Sequence, residues 1–311
     1  MARKTVLMIC GCHYFYMKQR PSYIAECLAR DLEVDFVAKD RGNSTINHLN
    51  IISTGDIKKK YDFLWISYGG ASDWINKVEY DKLIYDNLDD FPVYDSGDEI
   101  LAKRADIIFC SSLRLFHHKR LRYGDKVYYL PNACSPKDLD RSRFDKAKVS
   151  DIIYVGAMAY WLDYDLINEI VKIFKDYKFV FVGPEYGFHW KPESSNVELT
   201  GYKDRIEAFS YVMSSKVAIL PFKMNDRITE AADPIKIYEY LYCGRPVVAS
   251  NIYEMSKWDN RYIYKAVTID DWMYGIYKFL KMKINRKDLI DYVKNNTWED
   301  RYKVIKEVLC I

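Results

Sequence analysis

AADPIKIYEYLYCGRPVVAS, residues 231–250, combines a helix start, a helix stop and a buried strand in one stretch. Asp233 is a residue type that caps helix N-termini. Pro234 suits a first turn, where its missing N–H has no partner to lose, and Gly244 can end a helix in the left-handed conformation. The reading is a helix over 234–243 followed by the strand PVVAS. Such a helix start offers backbone N–H groups without intrahelical partners and the positive end of the dipole, which together attract anions. Lys236 adds a cation within that first turn, beside Ile235. Glu239 follows three residues later on the same face, a carboxylate suited to two ribose hydroxyls while Lys236 suits a diphosphate. The competing reading of the two is an exposed ion pair on an amphipathic helix.

Working outward, short apolar runs alternate with longer amphipathic stretches, the pattern of βαβ units around a parallel sheet. In the first half TVLMIC, EVDFVA, DFLWIS, PVYD, DIIFCS and VYYL read as strands, and 20–30 as a helix. In the second half the strands are IIYVGA, FVFVG, VEL, VAIL and PVVAS, with helices expected over 163–175 and 205–213. Between the halves, PNACSPKDLDRSRFDKAKV, residues 131–149, holds two prolines, many charges and no apolar period, so a domain boundary is expected there. The division expected is 1–145, 146–295 and a last amphipathic helix over 296–311, built on Trp298, Tyr302, Ile305 and Val308 at helical spacing.

Composition is consistent with this. The 311 residues are 49% hydrophobic and 29% charged, values of an ordinary folded chain long enough for two cores. No run approaches the roughly 18 apolar residues of a membrane span, and MARKTVLMIC lacks a cleavage-site pattern, so the expected location is cytoplasmic. Seven scattered cysteines read as small core residues in a reducing compartment, without disulfides or zinc. The net charge of +3 does not mark a nucleic-acid binder, but its distribution is uneven. Residues 51–100 hold 5 basic and 11 acidic side chains, whereas residues 101–150 hold 12 and 5.

PIKIYEYLYCGRPVVAS resembles the signature of GT-B glycosyltransferases of the broad GT4-like group, where a Glu-containing helix and a Gly-(Lys/Arg)-Pro-Val-Val strand bind the donor nucleotide. It is similar in particular to the exopolysaccharide and teichuronic acid type, the xanthan glucuronosyltransferase group. QRPSYIAECLARDLEVDFV, RADIIFCSSLRLF with YLPNACSP, and NVELTGY resemble further family segments in the same order, so the resemblance spans nearly the whole chain. It implies two Rossmann-like domains facing a central cleft, 1–145 for the acceptor and 146–295 for the nucleotide-sugar, with the last helix crossing back to the first domain. It implies a UDP-linked or related nucleotide-sugar as substrate, no cofactor, and a glycan or lipid-linked glycan acceptor. No obligate protein partner is implied. The base is expected against Gly201 and Tyr202. Two departures stand out. Ala231 occupies the position where many retaining members carry a first glutamate, and MAYWLDYD replaces their Arg and Lys phosphate clamp. The phosphate load then falls on Lys236, with Lys223, Arg227 and Arg245 as candidate helpers, each of them read first as an ordinary surface charge.

Individual candidates follow. Gly156 and Gly183, each at a strand end, permit close backbone approach to the donor, the competing reading, equal in weight for Gly183, being a simple strand-to-loop turn. An inverting transferase needs a general base, and three residues compete for that role. His13 follows the first strand and has an ordinary pKa of about 6.5. Asp95 and Asp98, in VYDSGDE, are expected at another strand end, with desolvation needed to raise their pKa; the competing reading of Asp98 is a helix N-cap. Asp163-x-Asp165 has the spacing of a metal-binding pair but stands at a helix start, so it reads as capping and no metal site is expected. RLFHHKRLR, residues 114–122, is read as a solvated helix face, the alternatives being an anionic lipid surface at the inner membrane face or a polyanionic acceptor such as DNA. Two rival functions remain open here: a sugar transferase acting on hydroxymethylated bases of phage DNA, and a non-catalytic nucleotide- or glycan-binding module of the same fold.

Overall fold

The computed structural model describes residues 3–16, 18–39, 43–187 and 189–311. The chain divides into two compact units. The first runs to Asn132 and includes Ala231–Asp233 and Trp298–Ile311; the second comprises Ala133–Glu230 and Pro234–Thr297. Residues 133–145, placed with the first domain by the sequence, therefore belong to the second unit.

In the first unit an eight-stranded sheet is built from β1 (Thr5–Ile9), β2 (Glu33–Val37), β3 (Ser44–Ile46), β4 (Leu49–Ile52), β5 (Lys60–Ile66), β6 (Glu79–Asn87), β7 (Ile107–Cys110) and β8 (Val127–Tyr129), in the order β3-β4-β2-β1-β5-β6-β7-β8. All neighbours are parallel except β3 and β4. Helices α1 (Arg20–Leu28), α2 (Asp95–Arg104) and α3 (Leu113–Tyr123) connect its strands. Because parallel strands are covered on both faces, β1 and β5 are almost fully buried, with Val6, Leu7, Met8, Leu64, Trp65 and Ile66 inaccessible to solvent. PVYD is not a strand. Pro92–Tyr94 is a 3-10 turn that leads into α2 at Asp95, since proline removes a ladder donor and fits a first turn.

The second unit contains α4 (Pro136–Leu139), β9 (Ile152–Val155), α5 (Tyr164–Ile173), β10 (Phe179–Val182), β11 (Val197–Leu199), α6 (Arg205–Met213), β12 (Val217–Leu220), α7 (Arg227–Glu230), α8 (Ile235–Tyr242), β13 (Val247–Ser250), β14 (Ile263–Ala266), α9 (Ile269–Lys281) and α10 (Arg286–Val293). Its all-parallel sheet runs β11-β10-β9-β12-β13-β14. Asp163 caps α5 by accepting the Leu166 N–H at 3.0 Å, as the capping reading of Asp163-x-Asp165 expects.

The last helix, α11 (Trp298–Leu309), belongs to the first unit and packs on α1. The Trp298 ring stacks on Tyr23 with centroids 5.1 Å apart. Arg30 pairs with Glu299 at 2.5 Å, and Tyr302 Oη donates to Asp31 at 2.6 Å.

Both sheets change winding direction partway across. In the first unit the switch lies between β1 and β5, and in the second between β9 and β12. Parallel α/β sheets bind ligands at the C-terminal strand ends of such switch points.

Candidate functional site

Helix α8 begins at Ile235 with Pro234 as its N-cap and no side-chain cap. Asp233 therefore does not cap it as expected. Its Oδ2 instead accepts the Asn132 N–H at 2.6 Å, inside the first unit. The C-terminal signal holds: Gly244 has φ +79°, and its N–H donates to the Leu241 carbonyl at 2.9 Å. Tyr240 fixes the helix against β9, its hydroxyl accepting the Val155 N–H at 2.7 Å and donating to the Val155 carbonyl at 3.2 Å. This places the first turn of α8 beside Gly156 at the switch point.

Lys236 extends over Gly156, with Nζ 5.8 Å from the Tyr154 ring centroid and 6.0 Å from that of Phe222. Among the described residues no hydrogen bond or ion pair holds this ammonium. Its desolvation lowers its pKa, and Glu239 partly opposes the shift. A half-buried, desolvated cation at a helix N-terminus, set on glycine, is built to receive an anion.

Gly156 has φ +148°, and a Cβ there would fall 2.1 Å from Lys236 Cε. Gly183 is equally constrained, a Cβ falling 2.1 Å from the Gly156 carbonyl oxygen at φ +147°. Its N–H donates to the Gly201 carbonyl at 2.9 Å. The three glycines thus line adjacent ends of β9, β10 and β11, and Tyr202 beside them is 44% exposed. Gly156→Ala is expected to store about 1–3 kcal/mol of backbone strain and to displace Lys236. Thermal melting should register the strain, and a UDP titration should register the weakened anion site.

Glu239 does share the Lys236 end of α8, but it is not exposed. It is 3% accessible, and its Oε1 accepts a hydrogen bond from the Arg205 guanidinium. Arg205 also lies 3.4 Å from Asp138 and over the Phe209 ring at 4.8 Å. The sequence reading missed Arg205; its faint signal is a cation at the start of α6, just after the Gly201-Tyr202 loop. Arg245 is no helper at this end. It follows the C-terminus of α8, where it donates to the Met213 carbonyl at 2.9 Å.

The first unit offers a carboxylate-rich edge. His13, in the loop after β1, is exposed, and its ring meets Tyr16 edge-on at 5.8 Å. Asp95 and Asp98 lie on the first turn of α2 rather than at a strand end. Asp95 is exposed, whereas Asp98 is buried and accepts the Tyr85 hydroxyl at 2.5 Å. Burial pushes the Asp98 carboxyl above its usual range, against the Tyr85 hydrogen bond and nearby Lys119. The strand end that the sequence reading overlooked is that of β6, followed by Asp89 and Asp90. Asp89 keeps solvent access, yet loss of surrounding water and the like charges of Asp98 and Asp90 raise its carboxyl to about 6, against the pull of Arg20.

The basic stretch 114–122 lies on α3. Arg120 pairs with Asp125 and Arg122 with Glu99, leaving Leu121, 88% exposed, as its outward apolar side chain. Among the described residues no helix is long and apolar enough to cross a membrane, and no group of three or more His, Cys, Asp or Glu side chains is placed to hold a metal ion.

Residues 150–281 match the family described as glycosyl transferases group 1. The chain is 27% identical over 238 residues to a Bacillus subtilis (strain 168) protein, TuaH, whose name assigns it to teichuronic acid biosynthesis as a glycosyltransferase. The match covers 67% of this chain and 60% of that protein. Among solved structures, an E. coli trehalose-6-phosphate structure bound with UDP-2-fluoro glucose superposes with a TM-score of 0.71 at 10% identity, over 99% of both chains. The apo lipopolysaccharide outer core galactosyltransferase WaaB gives 0.67 at 10% identity over 98% of this chain and 99% of that one. Anabaena HepE, in complex with UDP and glucose, gives 0.64 at 12% identity over 99% of both. These structural likenesses are likenesses of fold. The chain has the fold of the GT-B glycosyltransferases, and residues 150–281, in its second unit, match the group 1 glycosyl transferase family.

Proposed function

We propose that this protein transfers a sugar from a UDP-linked donor to a hydroxyl of a glycan acceptor. The observation that carries the reading is Lys236, desolvated and without an ion-pair partner, over Gly156 at the N-terminus of α8. The diphosphate rests on this ammonium and the helix end, which stabilise the charge that develops as the sugar departs. Glu239 receives the ribose hydroxyls, exchanging its Arg205 contact for them, and the base lies against Gly201 and Tyr202. The UDP ligands named for two of the structural neighbours favour uridine, and the name of the Bacillus relative favours polysaccharide assembly. The nucleotide-sugar is substrate, and the reading assigns no step to a resident cofactor.

On the acceptor side Asp89 is the base we favour over His13, Asp95 and Asp98. It combines access to solvent with a pKa near 6, whereas Asp98 is committed to Tyr85. The acceptor hydroxyl gives its proton to the Asp89 carboxylate as its oxygen bonds to the anomeric carbon. The bond from that carbon to phosphate breaks, and UDP leaves with the electron pair. Ala231, in place of the first glutamate of retaining relatives, agrees with this inverting scheme.

The test is UDP release from a panel of UDP-sugars, with and without glycan acceptors. A base titrating near 6 is active when deprotonated, so kcat/KM should rise with pH through about 6 and level above it. Asp89→Asn should abolish that limb and most of the transfer while binding UDP normally. Full transfer by Asp89→Asn would remove Asp89 from the role; absence of UDP release from any donor would remove the function.

A further inference from the structure

The switch point of the first sheet carries an aromatic cluster that the donor chemistry does not use. Tyr68 follows β5, and its ring fills the space left by two glycines. A Cβ on Gly11 would fall 2.6 Å from its Cε1, and a Cβ on Gly70 would fall 2.6 Å from its Cε2. Gly11, after β1, holds φ +63°, so both glycines are required where they stand. The Tyr68 ring meets Tyr94 edge-on at 5.5 Å, and Tyr94 meets Phe91 in the same way at 6.3 Å. All three rings are half-buried. Among the described residues no hydrogen bond engages the hydroxyl of Tyr68 or of Tyr94.

Carboxylates surround this cluster. Gly69 seats the start of α2 so closely that a Cβ there would fall 2.4 Å from Asp98 Oδ1. Asp89 and Asp90 precede Phe91 directly. Sugar rings present apolar C–H faces and a rim of hydroxyl donors, so aromatic faces beside acceptor-only carboxylates match them in shape and polarity. The local charge also selects. At this edge Asp89, Asp90, Asp95 and Asp98 outnumber the nearby cations Arg20 and Lys119, an excess that disfavours a phosphate-rich acceptor, whether nucleic acid or lipid pyrophosphate, and suits uncharged hydroxyls.

We propose that Tyr68, Tyr94 and Phe91 form the acceptor subsite and that its ligand is an uncharged pyranose ring, the terminal sugar of a glycan. This rests on the transferase reading and names the acceptor class within it. The test uses the full chain in saturation-transfer NMR with the methyl pyranosides of glucose, galactose, mannose and N-acetylglucosamine, alongside a UDP titration. At least one pyranoside should receive saturation at its ring C–H protons. That transfer should fall several-fold in Tyr94→Ala and in Tyr68→Leu, the second retaining bulk between the glycines, while both variants melt near the wild type and bind UDP as tightly. UDP binding with no pyranoside signal, or with a signal unchanged in both variants, overturns the subsite alone. Loss of UDP binding in the wild type as well overturns the transferase reading beneath it.

Discussion

Lys236→Ala should lower turnover of a UDP-sugar by about 100-fold or more, the scale observed when one preorganised electrostatic group is removed from a developing anion. Turnover at saturating acceptor, read as UDP release, is the measurement. The loss should fall in chemistry and donor binding rather than in folding. Lys236 has no partner to strand, and its burial disfavours its own charged form, so the thermal midpoint should stay close to the wild type. The pH dependence has a definite sign. The diphosphate binds the protonated amine, whose pKa is lowered in the free protein, so UDP affinity should decline as pH rises through that lowered value. Full turnover in the variant would remove Lys236 from the site.

Arg20→Ala should produce the largest stability loss. Arg20 is 4% exposed and Asp86 fully buried, and the guanidinium contacts both Asp86 oxygens, with its closest approach at 2.7 Å. It also donates to the Leu130 carbonyl at 2.6 Å, tying α1 to the strand end of β6 and the exit of β8. Removing it leaves a buried carboxylate without its counter-charge, which costs about 3–5 kcal/mol. Thermal or urea unfolding will measure this. The double variant Arg20→Met, Asp86→Leu should recover much of the loss, because two apolar side chains carry no desolvation cost. A double variant as unstable as Arg20→Ala would show that shape, not charge, is what the pair supplies.

The sequence made the second unit legible because its strands are buried on both faces. IIYV, FVFV and VAIL are unbroken apolar runs and VVAS is apolar up to its last residue, and all four are strands in the structure. Strand β6 escaped for the opposite reason. Its first half, with Glu79, Asp81 and Lys82, is exposed, and its buried end includes Asp86 and Asn87, so no apolar run announces it. PVYD then offered itself as the missing strand, although Pro92 starts a turn. The same gap concealed Asp89, whose raised pKa arises first from desolvation in the folded chain and then from the nearby charges of Asp98 and Asp90. The helix ends at Pro234 and Gly244 were readable from local backbone chemistry. The role of Asp233 was not, because Asn132, its partner, is 101 residues away. Arg205, which occupies Glu239, is likewise 34 residues removed, and Tyr68 between two glycines is a relation of strand ends that spacing alone does not display.

The central claim is that the second unit is a UDP site resting on Lys236 and Glu239, and calorimetric titration of UDP into the full chain tests it most directly. The account predicts a single UDP per chain, with affinity reduced by about tenfold or more in Lys236→Ala and in Glu239→Gln, the cost of one hydrogen bond to a charged group. A wild-type protein that takes up no UDP, or two variants that bind it as tightly as the wild type, would contradict it.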